Sequence, residues 1–336
     1  MSKWLIHRPL SALKWLLCGV GAVALLLTAL VAAPLSPPPE LRSISEGRNA
    51  VDMSALPPIE RFQARDGTSL GFRHYGPAGP ATGRGAVVIH GSTGSSATRG
   101  HALSAALAAR GVETWAIDIR GHGVSGTRGD IGYLGQLEDD MADFVAVVHK
   151  SHPDVPLTLI GHSAGGGFAL RVAASPIQNL FARTILLAPY LGYQAPTNRP
   201  QSGGWANADV PRFIALAMLR RIGIDCCGSL PVLAFAVPPN SEKILTGTYS
   251  ERLMRNFANR PDYRGDFAAA THPMTIFAGA DDELMIADKY AEAVQGITPA
   301  IDVKLIDGAN HMGIVTAPKA ISAIADDVAT RGIAGS

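Results

Sequence analysis

The sequence predicts an α/β domain in which a mostly parallel central sheet carries helices on both faces. From residue 86 onward, short apolar runs typical of buried strands alternate with longer helical patterns. Glycine-rich segments follow two of these runs, at residues 90–95 and 161–165. Because neighbouring parallel strands need a crossover connection, the alternation favours a parallel sheet that is covered on both faces.

The first 33 residues differ in character from the rest of the chain. Residues 16–33 are apolar apart from glycines and Thr28, and three basic residues come before or near their start, namely Lys3, Arg8 and Lys14. With residues 10–15 included, the run is long enough to cross a membrane. We expect a signal segment or, because Pro34 makes a poor cleavage position, an uncleaved anchor. The basic start places the domain outside the cytoplasm, on the periplasmic side of a bacterial inner membrane, whereas a cleaved chain would be periplasmic or secreted.

Three further segments follow this leader. Residues 34–58 contain proline runs and predict an extended, semi-rigid linker. Residues 59–189 and 272–332 carry the strand and helix patterns of the α/β core. Residues 190–271 interrupt the alternation, which indicates an inserted helical cap. Within the cap, residues 211–223 have the spacing of an amphipathic helix.

A serine follows the apolar run 156–160 in a pattern typical of a sharp turn. The sequence GHSAG places Ser163 between Gly161 and Gly165, and a helical pattern comes next. In such a strand–turn–helix the neighbours must be small, and the serine hydroxyl is presented at the sheet edge. Ser163 is therefore a candidate nucleophile.

A nucleophilic serine needs a histidine that accepts its proton and a carboxylate that orients the histidine. After this kind of turn, the carboxylate precedes the histidine in the chain. Of the ten histidines, only His311 lies beyond the acidic cluster 281–283. Both Asp281 and Asp282 leave the end of a predicted strand at 274–278, so the residues themselves leave two candidates for the acid.

Backbone donors for an oxyanion are predicted beside the serine. The strand pattern at 86–89 ends in the small-residue loop 90–95, whose N–H groups can approach a carbonyl oxygen. We expect the N–H groups of Ser92 and of Ala164, the residue after the serine, to form this site. An ordinary glycine-rich turn and a phosphate cradle are the alternatives, although the lysine of a phosphate-binding loop is missing.

The motifs HGSTGSS, DIRGHGVSGTRGD, GHSAGG, AGADDELM and GANHM resemble the serine hydrolases of the α/β-hydrolase fold, in particular the monoacylglycerol lipase, lysophospholipase and serine aminopeptidase-like group. The resemblance covers about residues 60–330. In that group the acid stands three residues beyond a strand-end glycine, which from Gly279 gives Asp282. Asp281 is then free to cap a helix predicted at 284–294. The resemblance thus implies a catalytic triad composed of Ser163, Asp282 and His311.

The implied activity is hydrolysis of a carboxylic ester through an acyl-enzyme. The apolar cap, the membrane-proximal tether and the resemblance favour a lipid-like ester of the monoacylglycerol or lysophospholipid type. A serine aminopeptidase, an acyltransferase and a non-catalytic hydrolase-fold binding protein are the alternatives. The sequence makes no prediction about the oligomeric state.

Other classes of partner are not indicated. The formal net charge of +1 gives no sign of nucleic-acid binding. Neither zinc-site spacings nor a dinucleotide fingerprint is present, so we expect no metal and no cofactor. His90, His122 and His162 lie inside the motifs, and we expect them to hold loops through hydrogen bonds rather than to transfer protons.

Overall fold

The computed structural model describes residues 7–49, 54–98, 100–241 and 243–330. Its strands fall into an eight-stranded sheet and a separate three-stranded sheet. In chain order the strands are β1 (Glu60–Gln63), β2 (Ser69–Tyr75), β3 (Gly85–Ile89), β4 (Glu113–Ile117), β5 (Leu157–His162), β6 (Arg183–Leu187), β7 (Ala206–Ala208), β8 (Pro231–Phe235), β9 (Thr248–Ser250), β10 (Met274–Gly279) and β11 (Asp302–Ile306).

The helices lie between these strands and at both ends of the described chain. They are α1 (His7–Ala32), α2 (Arg42–Asn49), α3 (His101–Ala109), α4 (Gln136–Ser151), α5 (Ala164–Ala173), α6 (Val210–Arg221), α7 (Glu251–Asn256), α8 (Tyr263–Ala269), α9 (Tyr290–Ala293), α10 (Gly313–Thr316) and α11 (Pro318–Thr330). Short 3₁₀ turns join some of them.

The large sheet has the strand order β1-β2-β4-β3-β5-β6-β10-β11. The pairs β1–β2 and β2–β4 are antiparallel, and every later pair is parallel. All residues of β3, β5, β6 and β10 are buried, as expected for central strands that are covered on both faces. The predicted fold class is therefore confirmed.

The parallel strands all point their carboxyl ends at one edge of the sheet. Ser163 follows β5, the loop after β10 contains Asp282, and the loop after β11 contains His311. Ser92 follows β3. Ligands bind at this edge in open α/β sheets, so the topology brings the predicted site residues to one place.

Three predictions differ from the structure. The linker 34–58 is not extended throughout, because α2 is helical and buries Ile44 against the core. The insertion 190–271 contains the antiparallel sheet β7-β8-β9 in addition to helices, and strands this short leave little periodic signal. The helix predicted at 284–294 is replaced by a 3₁₀ turn followed by the four-residue α9.

The first helix is long and apolar enough to cross a membrane. Its stretch Ala12–Ala32 has 21 residues and a mean hydropathy of 2.4, and its side chains pack against little else. The helix approaches α6, where the Arg212 guanidinium donates a hydrogen bond to the carbonyl of Val31 at 2.9 Å. Beyond the helix, the Asn207 amide donates to the carbonyl of Ser36 at 2.9 Å. The chain leaving α1 is thus tied to the insertion.

A buried ionic cluster joins three strands to the last helix. Asp327 of α11 accepts hydrogen bonds from Arg183 of β6 and from Lys304 of β11, the latter at 2.6 Å. Arg183 also donates to the Thr275 hydroxyl of β10 at 2.8 Å. Burial alone would raise the pKa of Asp327, but hydrogen bonding to Lys304 and the charge of Arg183 outweigh it, and this pKa lies below its ordinary value.

We expect Asp327→Asn to lower the free energy of unfolding at pH 7 by about 3 kcal/mol, because two cations lose their buried anion. The carboxylate stabilises the fold fully above about pH 4, and this contribution disappears as the pH falls through the depressed folded-state pKa. The variant should therefore lose less stability than the parent between pH 5 and 3. Urea unfolding midpoints measure both effects. Asp326→Asn is the control, because Asp326 is exposed and its change should cost less than about 1 kcal/mol.

Candidate active site

Ser163 lies on a strained turn between β5 and α5. Its φ of 55° and ψ of −119° fall outside the regions that a non-glycine residue prefers. A side chain at Gly161 would place its Cβ 2.2 Å from the carbonyl of Gly165, and one at Gly165 would lie 2.3 Å from the carbonyl of His90. Both flanking glycines are thus required by space. The turn is held because the N–H of Ser163 donates to the carbonyl of Leu187 at 2.9 Å.

His311 and Asp282 form a buried pair at the same edge of the sheet. The Nδ1 atom of His311 lies 2.8 Å from Oδ2 of Asp282, and both side chains are almost fully buried. The other carboxylate oxygen accepts the N–H groups of Leu284 at 2.8 Å and of Met285 at 2.7 Å. One oxygen of Asp282 therefore holds the loop while the other holds the imidazole.

The expected role of Asp281 as a helix cap is wrong. Its side chain is exposed, and the capping contacts in this loop are made by Asp282. The next residue, Glu283, was not singled out by sequence reasoning. Its Oε2 atom accepts the N–H of His311 at 2.9 Å, while its Oε1 atom is buried without a hydrogen-bond partner within the described structure.

The loop after β3 is held by four aromatic and histidine side chains. The Nε1 atom of Trp205 donates to Oγ of Ser92 at 3.0 Å, and the Tyr249 hydroxyl donates to the carbonyl of Ser92. The Nε2 atom of His122 lies 2.8 Å from that carbonyl. His90 accepts the N–H of Ile119 on Nε2 at 3.2 Å. These contacts fix the peptide of Ser92 beside the nucleophile, as expected for histidines that hold loops.

Neither His122 nor Tyr249 changes its protonation near neutral pH. Burial, with a smaller effect of neighbouring His90, lowers the pKa of His122 to about 3. Burial also raises the pKa of Tyr249 well above its ordinary value. His122 is thus a neutral imidazole and Tyr249 a neutral phenol. Each keeps a proton that it can donate in a hydrogen bond to the carbonyl of Ser92.

The segment DIRGHG, which includes Asp118 and Arg120, supports the same loop through hydrogen bonds. The Asp118 carboxylate accepts the N–H of Ser96 at 2.6 Å and that of Val124 at 3.0 Å. Arg120 is buried between the carboxylates of Asp66 and Asp140. Hydrogen bonding to Arg120 lowers the pKa of Asp66 to about 2. The motif therefore supports the loop beside the candidate site.

Ser92, Ser163 and His311 line one narrow cavity. Three apolar side chains close it, namely Ile44 from α2, Trp205 from the insertion and Leu284 from the loop after β10. Ile44 is 1% exposed. The space leaves no room for a bound molecule, so a substrate needs a wall to move. Ile44 could not be singled out from the sequence, because its contact depends on the path of the linker.

The N–H of Ala164 lies at the amino end of α5, directly after Ser163. Ala164 is the first residue of α5, and N–H groups in the first turn of a helix have no partner within the helix. The helix dipole adds partial positive charge at this end. The N–H groups of Ala164 and Ser92 stay the predicted donors for a developing oxygen anion next to Ser163.

The sheet order, together with the serine on a turn between β5 and α5, defines the α/β-hydrolase fold. A model of the Hydrolase_4 family, described as serine aminopeptidase, S33, matches residues 82–315, which is more than half of the chain. The chain belongs to this family. The match includes the candidate residues Ser163, Asp282 and His311.

Individual proteins are similar to this chain in sequence or in structure. The chain is 34% identical over 92 residues to a monoacylglycerol lipase of Mycolicibacterium smegmatis. The matched segment makes up 27% of this chain and 33% of that protein. The structure of a monoglyceride lipase from Saccharomyces cerevisiae covers 83% of this chain and 95% of its own, with a TM-score of 0.63 and 19% identity. A structure described as a membrane phospholipase A covers 97% of this chain and 100% of its own, with a TM-score of 0.53 and 15% identity.

Proposed function

We propose that the protein is a serine hydrolase that cleaves carboxylic esters through an acyl-enzyme. The observation that carries the proposal is the buried hydrogen bond between His311 and Asp282 beside a serine on a strained turn. Family membership supports the same reading. The imidazole of His311, held by Asp282, is the base that a serine needs. Ser163 is the nucleophile that this turn presents.

The proposed reaction has two steps. Ser163 Oγ attacks the ester carbonyl while Nε2 of His311 takes its proton, and the backbone donors of Ser92 and Ala164 bind the resulting oxyanion. His311 then gives the proton to the leaving alcohol, and the acyl group stays on Ser163. Water repeats the sequence and releases the acid, which restores the serine. Asp282 holds the imidazole tautomer that can accept the proton.

The proposed substrate is a lipid-like ester of the monoacylglycerol or lysophospholipid type. The cavity beside the serine is closed by the apolar side chains of Ile44, Trp205 and Leu284, which suit an acyl chain. The names of the matched Mycolicibacterium and yeast proteins point to the same class. No cofactor enters this chemistry.

We propose that residues 1–33 anchor the protein in a membrane, that 34–58 join the anchor to the core and that 190–271 form the cap. The basic residues before the apolar run favour an amino end in the cytoplasm and a domain on the periplasmic side of a bacterial inner membrane. Helix α6 of the cap supports this placement. It contacts α1 and leaves a row of apolar side chains exposed, composed of Val210, Ile214, Met218 and Ile222.

A serine aminopeptidase is the second candidate. The description of the family supports it, and so does one structural detail. The Oε1 atom of Glu283 is buried next to the site without a hydrogen-bond partner within the described residues, and a carboxylate oxygen can bind the ammonium group of a peptide amino terminus.

A substrate panel separates the two candidates. We expect p-nitrophenyl esters of four to twelve carbons and monoacylglycerols to be hydrolysed at least about a hundredfold faster, in kcat/KM, than aminoacyl p-nitroanilides. Glu283→Gln should leave ester turnover within about threefold, since no ester group needs that carboxylate. A preference for the anilides that Glu283→Gln removes would instead establish the aminopeptidase.

Ile44 is expected to set the preferred acyl length, because it forms a wall of the cavity beside Ser163. Ile44→Trp should lower kcat/KM for a dodecanoyl ester by about tenfold or more and change that for an acetyl ester much less. Ile44→Ala should shift the preference toward longer chains. Leu41→Ala is the control, since Leu41 belongs to the same segment and does not line the cavity. An unchanged chain-length profile in both Ile44 variants would contradict this role.

A further inference from the structure

Three potential metal ligands converge at the edge of the sheet opposite the candidate active site. His74 is the next-to-last residue of β2, Glu113 begins β4, and His152 follows α4. The ligand atoms of all three lie within 4.8 Å of one another. The Nε2 atom of His152 is 3.7 Å from Oε1 of Glu113, and Nε2 of His74 contacts the same oxygen. The side chains are half-buried, so solvent can reach the group.

The two imidazoles are held in place by aromatic packing. The ring of His74 stacks on Trp115, with centroids 5.4 Å apart and an angle of 8° between the planes. The ring of His152 meets Trp115 edge-on at 5.2 Å. Both histidines therefore lose little side-chain freedom when they bind a ligand, which lowers the entropic cost of binding.

His152 also has an outer hydrogen-bond partner. Its Nδ1 atom lies 3.0 Å from the hydroxyl of Ser151, which leaves Nε2 directed at Glu113. Metal-binding histidines characteristically use the second ring nitrogen in this way, because the outer contact fixes the tautomer and the ring orientation. The arrangement thus has inner ligands and an outer partner.

The chemistry of the donors selects a class of ion. Two neutral imidazole nitrogens and one carboxylate oxygen are a ligand set that suits zinc and related divalent transition metals, with solvent completing the coordination. Ligand atoms around tetrahedral zinc are separated by about 3.3 Å, as follows from metal–ligand distances near 2.0 Å. The observed separation of 3.7 Å for His152 and Glu113 needs only small side-chain rotations.

We propose that His74, Glu113 and His152 bind one divalent transition-metal ion of the zinc class. The ion would join the carboxyl end of α4 to β2 and β4, far from Ser163 along the strands. Its effect is therefore on stability, because an ion that binds only the folded chain stabilises it by mass action. The proposal does not depend on the proposed ester hydrolysis.

Isothermal titration with ZnCl₂ tests the site on the full chain, purified in detergent without a polyhistidine tag and stripped with EDTA. We expect one ion per chain with a Kd on the order of micromolar or lower. At a free concentration about a hundredfold above Kd, the melting temperature should rise by about 5 °C. Cobalt(II) in place of zinc should give the visible absorption bands of a low-symmetry site.

Glu113→Gln and His152→Ala should each weaken zinc binding by at least about tenfold and remove the thermal shift. His149→Ala is the matched control, since His149 lies in the last turn of the same helix outside the cluster. Melting in EDTA establishes that each variant is folded. Absence of saturable binding at one ion per chain would overturn the proposal. Binding that survives Glu113→Gln, or that His149→Ala weakens equally, would overturn it as well.

Discussion

Ser163→Ala is expected to lower kcat for ester hydrolysis by about 10⁶-fold, because the substitution removes the hydroxyl that forms the acyl-enzyme. Alanine fits the turn as serine does, so the melting temperature should change little. A fluorophosphonate probe should label the parent at the peptide that contains Ser163 and leave the variant unlabelled. Hydrolysis of p-nitrophenyl butyrate and mass spectrometry of the labelled peptide measure the two effects.

Ser96→Ala is the control for this experiment. The hydroxyl of Ser96 is buried near the site and makes no hydrogen bond within the described residues, so its loss should leave activity within about threefold. If Ser163→Ala keeps more than about 1% of the parent activity, or if the probe labels another serine, then Ser163 is not the nucleophile. A parent that neither hydrolyses the ester nor takes up the probe would instead fit the non-catalytic binding protein.

The central strands were predictable because each leaves a local signal. A parallel strand covered on both faces is a short apolar run, and β3, β5 and β10 all have this form. The GHSAG turn was predictable for a related reason. Its geometry excludes any side chain at Gly161 and Gly165, so both positions require glycine and the motif is visible in the sequence.

The walls of the cavity were not predictable in the same way. Ile44 reaches the site because a helix forms in a proline-rich linker and because that linker returns to the insertion. Tyr249 acts through a hydrogen bond to Ser92, a residue 157 positions away in the chain. Neither contact leaves a periodic or local pattern. Both depend on long-range packing that only the folded chain specifies.

The choice between Asp281 and Asp282 was only partly predictable from the sequence. The residues alone left both open, and the resemblance to a family favoured Asp282. The structure separates them by burial, since Asp282 is buried against His311 and Asp281 is exposed. The same geometry explains why the loop needs no other cap: Asp282 accepts two N–H groups with the oxygen that does not face the histidine.

Asp282→Asn is expected to lower kcat by about 10⁴-fold with little change in KM. The amide oxygen can still accept the N–H groups of Leu284 and Met285, so the loop keeps its shape. The amide nitrogen then donates to Nδ1 of His311, which forces the proton onto Nε2. In that tautomer the imidazole cannot accept the proton of Ser163. Single-turnover acylation with a p-nitrophenyl ester measures the affected step.

Asp281→Asn is the matched control and should keep activity within about twofold, because its side chain is exposed. Loss of activity in this variant with a nearly normal Asp282→Asn would reverse the assignment. Glu283 is the one nearby carboxylate in the described loop that could replace the acid, as it already contacts the backbone of His311. If adding Glu283→Gln to Asp282→Asn removes a residual rate that Glu283→Gln alone leaves intact, then that rate came from Glu283. If the double variant is no slower than the two single effects predict, the whole orienting effect belongs to Asp282.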